Sequence, residues 1–63
     1  MTQKELLYLE DAIKHEDNTI CICEEMQDMV SEEELVDFFK KEEKIHMSIK
    51  EKIMCLMEEK LNE

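Results

Sequence analysis

The chain has 63 residues and a mass of 7.6 kDa, and it contains no Gly, Pro or Trp. This length allows a single domain, residues 1–63, and the lack of Gly and Pro argues against a turn-rich β fold, a Gly-rich phosphate loop or a flexible linker. The 18 acidic and 8 basic residues give a formal net charge of −10 at pH 7. Binding to the phosphates of DNA or RNA is therefore disfavoured.

The first predicted helix covers about residues 3–29. Thr2 and Glu5 have the spacing of a capping box at its start. Beyond them, positions that would face a partner helix recur every three or four residues: Leu6, Leu9, Ile13, Glu16, Ile20, Cys23, Gln27 and Val30. This heptad rhythm predicts an amphipathic helix that packs along its whole length against another helix.

The second predicted helix covers about residues 32–61, and Ser31 with Glu34 has the spacing of a second capping box. Its apolar residues fall within about 100° of arc: Leu35, Phe38, Phe39, Ile45, Ile49, Ile53, Leu56 and Met57. A short turn between two helices of matched length predicts an all-α antiparallel hairpin. Because an isolated hairpin leaves apolar flanks exposed, we expect it to homodimerise into a four-helix bundle.

The remaining sequence signals concern membranes and thiols. No apolar run approaches the ~18 residues that a membrane span needs, and no N-terminal signal peptide is recognisable. The three cysteines, Cys21, Cys23 and Cys55, are an odd number, which is typical of reduced intracellular thiols. Because a C-x-C pair on a helix points about 200° apart, we expect buried or half-buried thiols rather than metal ligands. These signals predict a cytoplasmic protein without a membrane partner.

Ionisable residues interrupt the apolar stripes near the middle of both helices. Glu16 occupies a core-facing position of the first helix, Glu42 and His46 lie inside the apolar arc of the second, and Glu43 lies toward its edge. Each desolvated charge costs several kcal/mol unless it is paired. Glu16 lies about 15 residues before the turn and His46 about 15 after it, and Glu43 is one helical turn from His46 on the same side. An antiparallel hairpin should therefore bring Glu16, Glu43 and His46 together at one height, with Glu42 at nearly the same height.

Glu43 and His46 also form a Glu-x-x-His motif. Four-helix proteins that bind two iron or manganese ions place this motif on two helices and a single Glu on each of the other two. Carboxylates bridge divalent ions, and imidazole is a donor suited to iron or zinc. One chain carries half of this ligand set, and a homodimer would carry all of it.

At these residues the chain resembles the short half-ferritin, spore-coat-like proteins of spore-forming bacteria, which are minimal relatives of the rubrerythrin and ferritin-like group. The similar stretches are residues 2–6, 8–11 and 14–16, followed by Glu43-x-x-His46. The resemblance implies a ferritin-like bundle and a spore-associated protein. It also implies that Glu16, Glu43 and His46 are metal ligands and that iron is the metal, with zinc or manganese as alternatives.

Several alternatives remain open at the level of sequence. Glu42 is better centred on the apolar stripe than Glu43, and at i, i+4 from His46 it would ligate equally well. A di-iron site makes ferroxidase chemistry conceivable, although no substrate pocket can be recognised. Without metal, Glu16 and His46 would form a buried charged hydrogen bond that fixes register and oligomer state, as in a structural or coat-type bundle. A third hypothesis is an acidic protein that mimics nucleic acid toward a basic partner.

Overall fold

The structure, a computed structural model, describes all 63 residues and consists of two helices. Helix α1 covers Gln3–Met29 and helix α2 covers Glu33–Leu61. They pack side by side along their whole length as an antiparallel hairpin 47 Å long. The predicted all-α hairpin is thereby confirmed.

The start of α1 follows the sequence closely. The Thr2 hydroxyl accepts a hydrogen bond from the Glu5 amide at 3.1 Å, and the Glu5 carboxylate accepts one from the Thr2 amide at 2.8 Å. This capping box satisfies two amides that the first turn leaves without helical partners. The same two bonds from Thr2 lower the pKa of Glu5 below its ordinary value.

The predicted capping box at Ser31 and Glu34 is wrong. Helix α2 begins one residue after the predicted start, its N-cap residue is Glu32, and no side chain caps it. The Glu32 carbonyl instead accepts hydrogen bonds from the amides of Leu35 and Val36. The reversal uses the extended residues Val30 and Glu32 on either side of Ser31 and needs no positive φ angle.

The interface between the helices, here called the seam, follows the predicted heptad on α1, where every position is buried or half-buried. On α2 the predicted apolar arc divides into two parts. Phe39, Ile53 and Met57 are half-buried in the seam, and Ile49 is half-buried to one side of it. A second group remains exposed by 42–51%: Leu35, Phe38, Ile45 and Leu56.

The interior of the hairpin is thin, because only Cys23 is buried. Its accessible surface is 5136 Å², whereas a folded monomer of this mass is expected to expose roughly 4,300 Å². Cys21 and Cys55 are exposed, so the expectation of buried or half-buried thiols is confirmed for Cys23 alone. Neither helix has an apolar stretch of the length that crossing a membrane requires.

The capping geometry makes a testable prediction about stability. Thr2→Ala should lower the free energy of unfolding by about 1 kcal/mol, because it removes the side-chain acceptor of the cap. Urea denaturation followed by circular dichroism measures this change. Ser31→Ala is the matched control and should have little effect, since Ser31 caps no helix. An equal loss in both variants would contradict the assignment of the two helix starts.

Candidate functional site

The centre of the seam contains a short hydrogen bond between the two helices. His46 Nδ1 of α2 lies 2.6 Å from Glu16 Oε2 of α1. Their side chains are 26% and 18% exposed, so the bond is shielded from water but not sealed. When Glu16 is ionised, its carboxylate can only accept, so Nδ1 is the protonated nitrogen and its N–H donates a hydrogen bond to Glu16 Oε2. The structure thereby confirms the prediction that Glu16 and His46 lie at the same height along the hairpin.

The other ring nitrogen of His46 faces a second carboxylate. Nε2 lies 3.7 Å from Glu42 Oε2, one helical turn earlier on α2. This distance is too long for a hydrogen bond. The imidazole therefore lies between two carboxylates, with Nδ1 committed to Glu16 and Nε2 without a hydrogen-bond partner. A histidine fixed in this way through one nitrogen presents the other as a ligand or a proton acceptor.

Glu43 does not join this arrangement. Its Oε1 accepts a 2.8 Å hydrogen bond from Nε2 of Gln27 on α1. The sequence placed Gln27 in the seam but gave it no role, although a polar residue at a core-facing position was the same signal that singled out Glu16. The two bonds, Glu16 to His46 and Gln27 to Glu43, join the helices at different heights.

Cys23 lies close to these carboxylates. Burial raises the pKa of its thiol, and the negative charges of Glu42 and Glu43 raise it further. A protonated thiol is a poor ligand and a poor nucleophile at neutral pH. Cys23 therefore acts as a small apolar residue that fills the seam beside the polar cluster.

Two further polar residues near the centre, Lys50 and His15, lie outside the cluster. Lys50, which could have neutralised a carboxylate in the seam, forms its ion pair with Asp17 at the edge of the hairpin. His15 is exposed, and its backbone carbonyl accepts a hydrogen bond from the Thr19 hydroxyl. Neither residue competes with His46 for Glu16.

The donor set is one imidazole with carboxylates, which is a combination that suits iron, zinc or manganese. Within one chain, however, no group of three or more His, Cys, Asp or Glu side chains is arranged to hold a metal ion. Glu16 and Glu42 approach opposite nitrogens of the same ring, so as placed they do not converge on one point. Further ligands would have to come from outside this hairpin.

Comparison with known proteins adds no relative. No family model matches the chain, and neither the curated proteins nor the solved structures contain a match.

The central bond can be tested by a double-mutant cycle with Glu16→Ala and His46→Ala. Hydrogen bonds to charged groups contribute about 1.5–3 kcal/mol, so a coupling energy in this range is expected at neutral pH. Urea denaturation of the unsubstituted chain, the two single variants and the double variant measures this coupling energy.

The Asp17–Lys50 pair is the matched control for this cycle. Its side chains are 53% and 32% exposed, so solvent screening should hold its coupling to about 1 kcal/mol or less. Coupling at Glu16–His46 no larger than this would show that the bond does not fasten the seam.

Proposed function

We propose that two copies of this chain pair into a four-helix bundle that binds divalent metal, with iron as the first candidate, at the height of His46. The observation that carries the proposal is the fixed orientation of His46. Its Nδ1 is held by Glu16, while its Nε2 is left without a hydrogen-bond partner on the side of Glu42. Metal-binding histidines commonly have this arrangement, in which a carboxylate orients the ring and the opposite nitrogen ligates.

The need for a second copy follows from surface area. The hairpin exposes roughly 800 Å² more than a folded monomer of its mass is expected to expose. That excess is close to the ~800 Å² that each partner contributes to a stable protein–protein interface. A second hairpin would cover it and would also double the number of ligands.

One side of the hairpin carries the apolar residues that such pairing would cover. They recur three, four or seven residues apart along both helices, about 100° from the seam, and the seven-residue gaps hold His15 on α1 and Glu42 and Lys52 on α2. We call this side the apolar face: Tyr8, Ala12, Thr19, Ile22 and Met26 on α1, and Leu35, Phe38, Ile45, Ile49 and Leu56 on α2. Tyr8 and Leu56 line one surface groove, as expected for stripes on the same side. Glu42 lies within the α2 stripe, between Phe38 and Ile45.

Glu42 is therefore a better candidate than Glu43 for the metal-binding carboxylate of α2. It is directed to the side where a second copy would bring its own Glu42 and His46. Glu43 is engaged by Gln27. His46 Nε2 and Glu42 would hold the metal, with Glu16 orienting the ring or ligating after a rotation of the imidazole. A bound iron would supply one-electron redox chemistry, and the carboxylates would balance its charge.

The first experiment measures metal. Elemental analysis of anaerobically purified protein, and titration with Fe²⁺ or Zn²⁺, should give about one ion per chain. Glu16→Ala/His46→Ala should abolish binding because it removes the ring and its orienting carboxylate. Binding of neither ion by the folded dimer would leave a structural bundle fastened by a Glu–His bond.

Two variants separate the adjacent carboxylates. Glu42→Gln should weaken binding by at least about tenfold, since losing one ligand or an outer-shell partner commonly costs 10–100-fold. Glu43→Gln changes charge by the same amount one residue away and should bind almost as well as the unsubstituted chain. The reverse order would assign the ligand to the Glu-x-x-His motif instead.

Self-association has its own test in analytical ultracentrifugation. Ile45→Lys places a charge in the centre of the apolar face and should dissociate the dimer into monomers. Leu7→Lys is the matched control, because Leu7 is 54% exposed and Ile45 51%, but Leu7 points away from both the seam and the apolar face. A dimer that survives Ile45→Lys would exclude this face as the interface.

A further inference from the structure

A second exposed surface lies on the side of the hairpin opposite the apolar face. It is a groove of about 430 Å³ between α1 and the C-terminal half of α2. Its apolar surface comes from Ile20 on α1 and from Met47, Met54, Cys55 and Met57 on α2. Met47 and Met54 are 52% and 45% exposed, so two large flexible side chains face solvent about two helical turns apart on the same side of α2. The groove would remain open when two hairpins pair through the apolar face.

Carboxylates border this groove. Glu51 and Glu58 lie seven residues apart on α2, which is two helical turns on one side, and both line the groove. Neither forms an ion pair, whereas Asp17 at the other edge is neutralised by Lys50. The chain as a whole has a net charge of −10. The groove is thus apolar within and acidic along its α2 edge.

This charge pattern indicates what kind of partner would bind in the groove. A second copy of the chain would bring another acidic edge against Glu51 and Glu58, and like charges brought together across an interface are repulsive. A partner with an apolar stripe flanked by Lys or Arg satisfies both features. Methionine favours such binding because its unbranched thioether side chain adapts to different apolar shapes.

We propose that this groove docks a basic amphipathic helix of a partner protein. The apolar anchors of that helix, at i, i+3 or i+4 and i+7, lie against Met47 and Met54. Its Lys or Arg side chains pair with Glu51 and Glu58. This site is independent of the metal proposed at His46, because it uses none of the same side chains.

The test uses a fluorescein-labelled 18-residue amphipathic peptide of Leu and Lys, with binding to the full chain followed by fluorescence anisotropy. Binding should be saturable and should weaken as salt is raised. Met47→Gln/Met54→Gln should weaken it by at least tenfold. Met29→Gln is the matched control: it removes a methionine that is 75% exposed but lies outside the groove, and should change affinity less than twofold.

A charge-matched pair completes the experiment. Glu51→Gln/Glu58→Gln should weaken peptide binding severalfold and reduce its salt dependence. Asp11→Asn/Glu34→Gln makes the same change in net charge at exposed residues that point away from the groove, and it should not. Equal losses in the two pairs, or absence of binding, would overturn the proposal. A lower mass in solution for the peptide-free Met47→Gln/Met54→Gln protein would also overturn the proposal, because that result would identify a second copy of the chain as the occupant of the groove. Circular dichroism verifies that every variant remains helical.

Discussion

The hydrogen bond between Glu16 and His46 is the interaction on which the arrangement of the hairpin depends. Apolar contacts between two long helices can slide by one heptad with little change in buried area, since one apolar side chain replaces another. A half-buried carboxylate and imidazole cannot, because a slip would leave both without a partner and would lose the contribution of about 1.5–3 kcal/mol that a hydrogen bond to a charged group makes. The bond thus fixes which residues of α2 meet which residues of α1. The placement of Cys23, Gln27 and Glu43 follows from that register.

The second constraint is the small interior. With only Cys23 buried, two helices joined by a short turn cover one side of each other and leave apolar side chains on two further sides. These sides differ in chemistry. The apolar face extends over both helices and is interrupted near its centre by Glu42, whereas the methionine-lined groove is narrower and bordered by carboxylates. A broad apolar surface and a narrow acidic groove suit partners of different chemistry.

The features of this fold that were predicted correctly are those in which the local sequence pattern and the packing of the two helices favour the same structure. The heptad on α1, its capping box and the equal distance of Glu16 and His46 from the turn each depend only on helical periodicity and chain reversal. The cap of α2 was predicted wrongly because Ser31 is a residue type common at N-caps, whereas Glu32 occupies the N-cap position and no side chain caps the helix. The bond between Gln27 and Glu43 was not predicted, because Gln27 is neutral and only ionisable residues were considered as interruptions of the apolar stripes. The division of the α2 arc into a seam and an exposed stripe depends on which part of it faces α1, and periodicity alone does not define this.

Glu42 and Glu43 illustrate how one position on a helix decides between two roles. Their side chains are chemically identical and about 100° apart. That rotation directs Glu43 to Gln27, where it joins the two helices of one hairpin, and directs Glu42 toward the apolar face beside the nitrogen of His46 that has no hydrogen-bond partner. Glu43 already accepts a hydrogen bond within the hairpin, so binding a cation would lower its free energy only slightly. A half-exposed carboxylate on an apolar face must instead be neutralised when that face is covered, either by a proton or by a cation. Pairing of two hairpins through this face would therefore itself favour the binding of a divalent ion there.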